Sequence, residues 1–244
     1  MIKTFLVLMS AVLFLILSIP ILLVEWILSK VNPAAKNKSS LVLVQWIFRI
    51  LLFFTGVKLT VKGKENIPAD KSVLYIGNHR SYFDIIIAYT LVPSLTGFIS
   101  KKEIAKVPLL NSWMKNVNCL FLDRDDIKQG LQTILTACEY VKNGISIFIF
   151  PEGTRNKSDD EFLPFKGGSF KIATKSGCDI IPVAINNSDA LLEAHFPKVK
   201  RANVIVEFGK PIVVSEMSRD EQKVLPETVK NTIFEMYTNN KAAV

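Results

Sequence analysis

Seven consecutive residues, NHRSYFD at 78–84, hold an imidazole and a carboxylate in one short segment between two apolar runs, SVLYIG and IIIAYTL. His79 and His195 are the only histidines of the chain. His79 falls at a strand-to-helix turn and Asp84 in the first turn of the helix. A carboxylate there can accept a hydrogen bond from one ring nitrogen, fix the tautomer, and leave the other nitrogen to take a proton from a hydroxyl. A purely structural account also exists. Ser81 and Asp84 have the S-x-x-D spacing of a capping box and could do no more than start the helix. That account explains Asp84 but not His79, which neither a core nor a cap requires.

Two further clusters follow strands, the place where open α/β sheets gather their ligand sites. FLDRD at 121–125 puts Arg124 at a strand end, either as a solvated surface charge or as a planar fork suited to phosphate. FPEGTRN at 150–156 shapes a tight Pro-Gly turn that carries Glu152, Gly153, Thr154 and Arg155 to the same sheet edge. The glycine-rich PFKGGSFK at 164–171 could expose backbone amides to an anion. The full phosphate-loop pattern G-x-x-x-x-G-K-[ST] is absent, which argues against a nucleoside triphosphatase.

The elements that must hold these groups read as an α/β domain with a mostly parallel sheet flanked by helices. Seven strands are expected, at 57–61, 72–77, 96–100, 119–122, 145–150, 179–185 and 203–208. The clearest helix spans 127–142, with Asp125 or Asp126 as its cap and Asn143-Gly144 as its stop. A last helix is expected over 219–239.

Ahead of this lies an apolar segment. Residues 5–28 carry one charge, Glu25, over a length that would cross the bilayer, with Pro20 as a kink or the mark of a helix that dips and returns. A polar linker at 30–40 and a second apolar stretch at 41–57 come next. In that stretch Gln45 and Arg49 share one face, at a membrane interface or against the globular domain. The reading is therefore a membrane-anchor region at 1–57 and a catalytic domain at 58–244. Lys30, Lys36 and Lys38 follow the first segment and only Lys3 precedes it, which places the catalytic domain on the cytoplasmic side. The net charge of +8 favours anionic partners, although the dispersed basic residues argue against nucleic acid. Cys119, Cys138 and Cys178 stand apart with no metal-ligand spacing, so neither disulfide nor metal is expected.

Taken in order, NHRSYFD, FLDR, FPEGTR and IIPVAI resemble the four motifs of the glycerolipid acyltransferase family over about residues 58–208. Within it the sequence is most similar to the enzymes that act on 1-acyl-sn-glycerol-3-phosphate. The resemblance implies a glycerolphosphate-acyltransferase-like fold in which His79 is a general base and Asp84 its orienting partner. Arg124 and Arg155 would hold the acceptor's phosphate, Glu152, Gly153 and Thr154 would shape the pocket, and Lys101, Lys102 and Lys166 would add positive charge. Pro182 would lie on a strand lining the site. The implied reaction takes an acyl group from acyl-CoA or acyl carrier protein to the sn-2 hydroxyl, giving phosphatidic acid at a phospholipid membrane without a cofactor. Another lysophospholipid as acceptor is the alternative. So is a non-catalytic module that binds acidic lipid, against which the His79 and Asp84 pair speaks. Two positions depart from the pattern: Asn118 stands where many members have glycine, and Asn156 where many have serine. With no G-x-S-x-G elbow in the chain, direct attack on the thioester is expected rather than an acyl-enzyme. Ser81, the one nearby hydroxyl, is better explained as a cap.

Overall fold

The computed structural model describes residues 1–244. Its centre is a seven-stranded sheet of β1 (Lys58–Lys62), β2 (Leu74–Gly77), β3 (Thr96–Lys101), β4 (Leu120–Leu122), β5 (Ser146–Ile149), β6 (Ile180–Asn186) and β7 (Asn203–Phe208), in the order β1-β7-β6-β2-β5-β3-β4. All seven expected strands are present, with ends shifted by at most two residues. Every pairing is parallel except that of β6 with β7.

Both faces of the central strands are covered, and successive side chains go to opposite sides. Leu74 and Ile76 of β2 join Ile147 and Ile149 of β5 in one core, and Tyr75 and Phe148 join another. The first core meets α6 (Ile127–Lys142), α7 (Lys171–Ser176) and α8 (Arg219–Lys241). The second meets α3 (Pro33–Thr55), α4 (Phe83–Leu91) and α5 (Leu110–Asn116). Helix α6 has the expected bounds, and Asp126 is its cap, accepting from the amides of Lys128 and Gln129. Helix α8 starts with a complete capping box between Ser218 and Glu221.

The amino-terminal region differs from the sequence reading in one place and sharpens it in another. The apolar run at 5–28 is two helices, α1 (Ile2–Leu17) and α2 (Ile19–Val31), bent by 51° where Pro20 signalled a kink. Pro20 cannot donate to the carbonyl of Ile16 and its ring crowds that turn. The Trp113 indole donates to the Ser18 hydroxyl at 2.8 Å and pins the bend.

The expected linker at 30–40 is mostly helix, because α3 begins at Pro33. Asn32 accepts from the Ala35 amide and proline occupies the first helical position, both strong start signals. The polar residues of that turn have partners. Glu25, 2% exposed, accepts from the hydroxyls of Ser39 at 2.7 Å and Ser40 at 2.9 Å, and Lys36 donates to the Asn116 carbonyl at 2.8 Å. Further along α3, the Gln45 amide donates to the carbonyls of Tyr89 and Val92 at the end of α4. That face packs on the globular domain.

Helix α3 is long and apolar enough to cross a membrane, although 39% of its most apolar window is buried in the protein. The α1–α2 pair meets the same test if counted as one broken span, and it exposes Phe5, Leu8, Val12, Leu13 and Ile16.

Candidate active site

Strand β2 ends at Gly77, and Asn78 extends its hold on β6 by one side-chain rung. The Asn78 amide donates to the Ile185 carbonyl at 2.9 Å and its oxygen accepts from the Ile185 amide at 2.8 Å. This fixes where the chain turns out of the sheet, and His79 is the next residue. Its ring lies flat on Phe150, centroids 4.3 Å apart with 17° between planes. Nδ1 is 2.8 Å from Asp84 Oδ2.

Asp84 is fully buried, and Oδ2 also accepts from the amides of Arg80 at 2.7 Å and Ser81 at 2.8 Å. A carboxylate oxygen that already accepts two amide hydrogens is an acceptor toward the ring as well, so Nδ1 carries the proton and Nε2 has the free lone pair. Asp84 Oδ2 thus meets the imidazole and ties down the amides ahead of α4 at the same time. The box itself is incomplete, because the Ser81 hydroxyl accepts from Phe83 instead of Asp84.

The loop after β5 brackets the His79 backbone. Glu152 Oε1 accepts from the His79 amide at 2.8 Å, and the Asn156 amide donates to the His79 carbonyl at 2.7 Å. Glu152 is 3% exposed, and its other oxygen accepts from Leu163 at 3.2 Å. Burial lifts its carboxyl above the ordinary range, against the opposing pull of the two amides. Glu152 therefore serves the site as a strut behind the turn and does not line the cleft. Asn156 shows what a polar side chain does where serine is common: it accepts from the Ser158 amide and donates to the Glu161 carbonyl, closing its own loop.

In front of His79 lies a cleft of about 190 Å³. Lys101, Arg124, Gly153, Thr154 and Arg155 line it together with Ile85, Ile99, Ile104 and Phe150. Gly153 has φ of +74° and no side chain, which lets Lys166 and Arg124 close on it; an added Cβ would stand 3.0 Å from Lys166 Nζ. Three cations, Lys101, Arg124 and Arg155, thus line one small cleft beside the imidazole, and Lys166 packs against its Gly153. An anionic group bound among them would set a neighbouring hydroxyl against Nε2.

Lys102 is not among them. It turns back to Asp123 at 2.6 Å, a hydrogen bond that raises the lysine and lowers the aspartate from their ordinary pKa values. Pro182 is buried in β6, paired across to Ile76, and lines neither this cleft nor the larger one beside it. Asn118 has φ of +61°, the left-handed region that glycine enters freely and asparagine tolerates, so its departure from the family pattern keeps the backbone geometry.

Two contributors were not singled out by motif reading. Arg80, 4% exposed, forms a two-pronged pair with Asp189 and also meets Asp159 and the Ser158 carbonyl. Glu193 contacts Ser81, Tyr82 and Arg155. It lies far down the chain in LLEAH, which carries no pattern. Arg80 stood inside the first cluster, and its position beside His79 was the one available signal.

The geometry has counterparts in known proteins. An acyltransferase family model matches residues 58–186. The 1-acyl-sn-glycerol-3-phosphate acyltransferase of Saccharomyces cerevisiae is 30% identical over 79% of this chain and 66% of its own length. That of Borreliella burgdorferi is 29% identical over 80% and 78%. The crystal structure of the 1-acyl-sn-glycerophosphate acyltransferase PlsC from Thermotoga maritima superposes with a TM-score of 0.80 at 26% identity, covering 96% of this chain and 94% of that one. With the family model spanning more than half of the chain and a solved relative sharing the fold over nearly its whole length, this chain belongs to the acyltransferase family.

Proposed function

We propose that the enzyme transfers a fatty acyl group from a thioester carrier, acyl-CoA or acyl carrier protein, to the sn-2 hydroxyl of 1-acyl-sn-glycerol-3-phosphate, giving phosphatidic acid. The observation that carries this reading is the His79–Asp84 pair at 2.8 Å, facing a cleft lined by Lys101, Arg124 and Arg155, with Lys166 against its Gly153. The acceptor's phosphate is held by those cations. His79 Nε2 takes the proton of the sn-2 hydroxyl as its oxygen attacks the thioester carbonyl. Asp84 stabilises the resulting imidazolium. The C–S bond then breaks, the ester forms, and the departing thiolate takes the proton back from His79. Electrons and protons balance without an acyl-enzyme, and the names of the relatives support the acceptor.

Lysophospholipid substrates reside in bilayers, and the outward apolar side chains of α1 and α2 suit attachment to one. The cytoplasmic orientation rests on Lys30 and Lys38, since Lys36 is engaged with Asn116.

The test is acyl transfer by detergent-purified protein given 1-acyl-sn-glycerol-3-phosphate and either thioester, beside the His79→Ala variant. Wild type should release thiol and form phosphatidic acid, and the variant should turn over at least about 100-fold more slowly. Equal rates would remove His79 from the mechanism. Product from another lysophospholipid alone would reassign the acceptor.

A further inference from the structure

Arg155 does not hang free at the rim of the cleft. Its Nη1 donates to Glu193 Oε1 at 2.9 Å, its Nη2 to the Tyr82 hydroxyl at 3.2 Å, and its guanidinium carbon stands 3.8 Å over the Tyr82 ring centroid. The same Glu193 carboxylate accepts from the Tyr82 amide at 2.9 Å through Oε1 and from the Ser81 hydroxyl at 2.6 Å through Oε2. One side chain therefore joins the turn that carries His79 to the arginine that follows β5. The Arg155–Tyr82 stack forms a wall between the His79 cleft and a larger cavity of about 660 Å³, and Glu193 stands on the far side of that wall.

We infer that Glu193 is a positioning residue for acceptor recognition, acting through Arg155. This rests on reading the cleft as the seat of the acceptor's phosphate. An arginine on a long flexible stem loses rotamer freedom whenever it binds, and a partner that fixes it beforehand removes that cost from the binding step. Glu193 and Tyr82 use two of the five guanidinium N–H groups and hold the plane fixed, leaving the others for phosphate oxygens. The carboxylate also offsets part of the arginine's charge, so recognition at this corner depends more on hydrogen-bond direction than on bulk attraction.

The experiment measures KM for acceptor and donor separately in Glu193→Ala, Glu193→Gln, Arg155→Ala and the Glu193→Ala/Arg155→Ala double variant, with melting curves to verify folding. Loss of one charge-assisted bond should raise the acceptor KM about tenfold in Glu193→Ala and leave the donor KM within about twofold. In the Arg155→Ala background the same change should add nothing further. Glu193→Gln keeps one oxygen for both the Tyr82 amide and Arg155 Nη1 and removes only the negative charge, so its kcat should stay within about twofold of wild type while its acceptor KM rises less than that of Glu193→Ala. An equal KM increase with and without Arg155 would reduce Glu193 to a structural brace and overturn the inference. A wild-type acceptor KM in Glu193→Ala would do the same. A wild-type chain that uses no thioester overturns the function itself and this inference with it; an active wild type with Glu193 uncoupled from Arg155 overturns the inference alone.

Discussion

Glu152 holds two amides with one carboxylate, His79 on one oxygen and Leu163 on the other. Glutamine has a single accepting oxygen, so Glu152→Gln sets an NH2 group against an amide hydrogen. In acid this should cost about 1–3 kcal/mol of stability. The dependence on pH has a definite sign. Burial raises the folded pKa above the ordinary 4.5, so the native state binds more protons there than the unfolded chain. This group's contribution is present below 4.5 and declines as pH rises through the folded value. Only wild type bears that decline, and the gap between the two proteins should narrow on raising the pH from 4 to 7. Urea unfolding across that range checks it; a constant gap would mean the carboxyl titrates as an ordinary one. The pairing of His79 with Asp84 was legible in the sequence because both lie in one turn. Glu152 was legible as a member of the site but not as a strut, since the amides it accepts belong to backbone that only the fold brings near. Glu193 was not legible at all, because its partners Ser81 and Tyr82 lie more than a hundred residues upstream.

At the scale of elements, β3 and the turn before β4 meet backbone to backbone. A Cβ on Gly97 would stand 2.0 Å from the Asn118 carbonyl oxygen, too close for any side chain without displacement. Gly97→Ala should cost about 1–3 kcal/mol or more, as overpacking does, and should also lower activity, because β4 carries Arg124 into the cleft. Asn118→Gly should alter stability by less than about 1 kcal/mol, since glycine enters the left-handed region without strain. Denaturant midpoints of the two variants give the comparison, and equal midpoints would refute the close-approach argument. The start of α6 was legible where capping chemistry is local, at Asp126; α8 starts at the expected residue 219, but its Ser218 capping box was not read from the sequence. The bend at Ser18 was foreshadowed by Pro20, but the indole that pins it comes from α5. The early start of α3 was missed because Lys36, Ser39 and Ser40 look like linker until Glu25 and Asn116 supply their partners.

For the molecule as a whole, the charged cleft and the outward apolar face of α1 suit different phases, one aqueous and one hydrocarbon, as the proposed membrane attachment requires. Leu13→Glu combined with Ile16→Glu places two carboxylates on the exposed face. Each should cost up to about 3 kcal/mol of membrane affinity if it reaches the hydrocarbon. The doubly substituted protein should move from the vesicle-bound to the soluble fraction on flotation. It should retain turnover of a dispersed short-chain acceptor, since neither position approaches His79. Continued flotation would mean that attachment lies elsewhere. The α/β class, the placing of polar clusters just after strands and the apolar amino-terminal segment were all legible from pattern. The packing of α3 onto α4 was left open, because periodicity alone does not say which apolar surface a helix meets.

The edge strand β1 has β7 as its only neighbour, and the register couples Lys58 to Asn203. During synthesis the first strand to leave the ribosome must therefore wait for the last, about 145 residues and roughly 10–30 s later at ordinary elongation rates. Throughout that interval its unpaired backbone offers a template to any other nascent strand. Its alternating exposure, with Lys58, Thr60 and Lys62 turned outward, places two lysines along the waiting edge. Like charges along that edge repel the same strand of a second copy, a property that bears on the chain before it can close its own sheet.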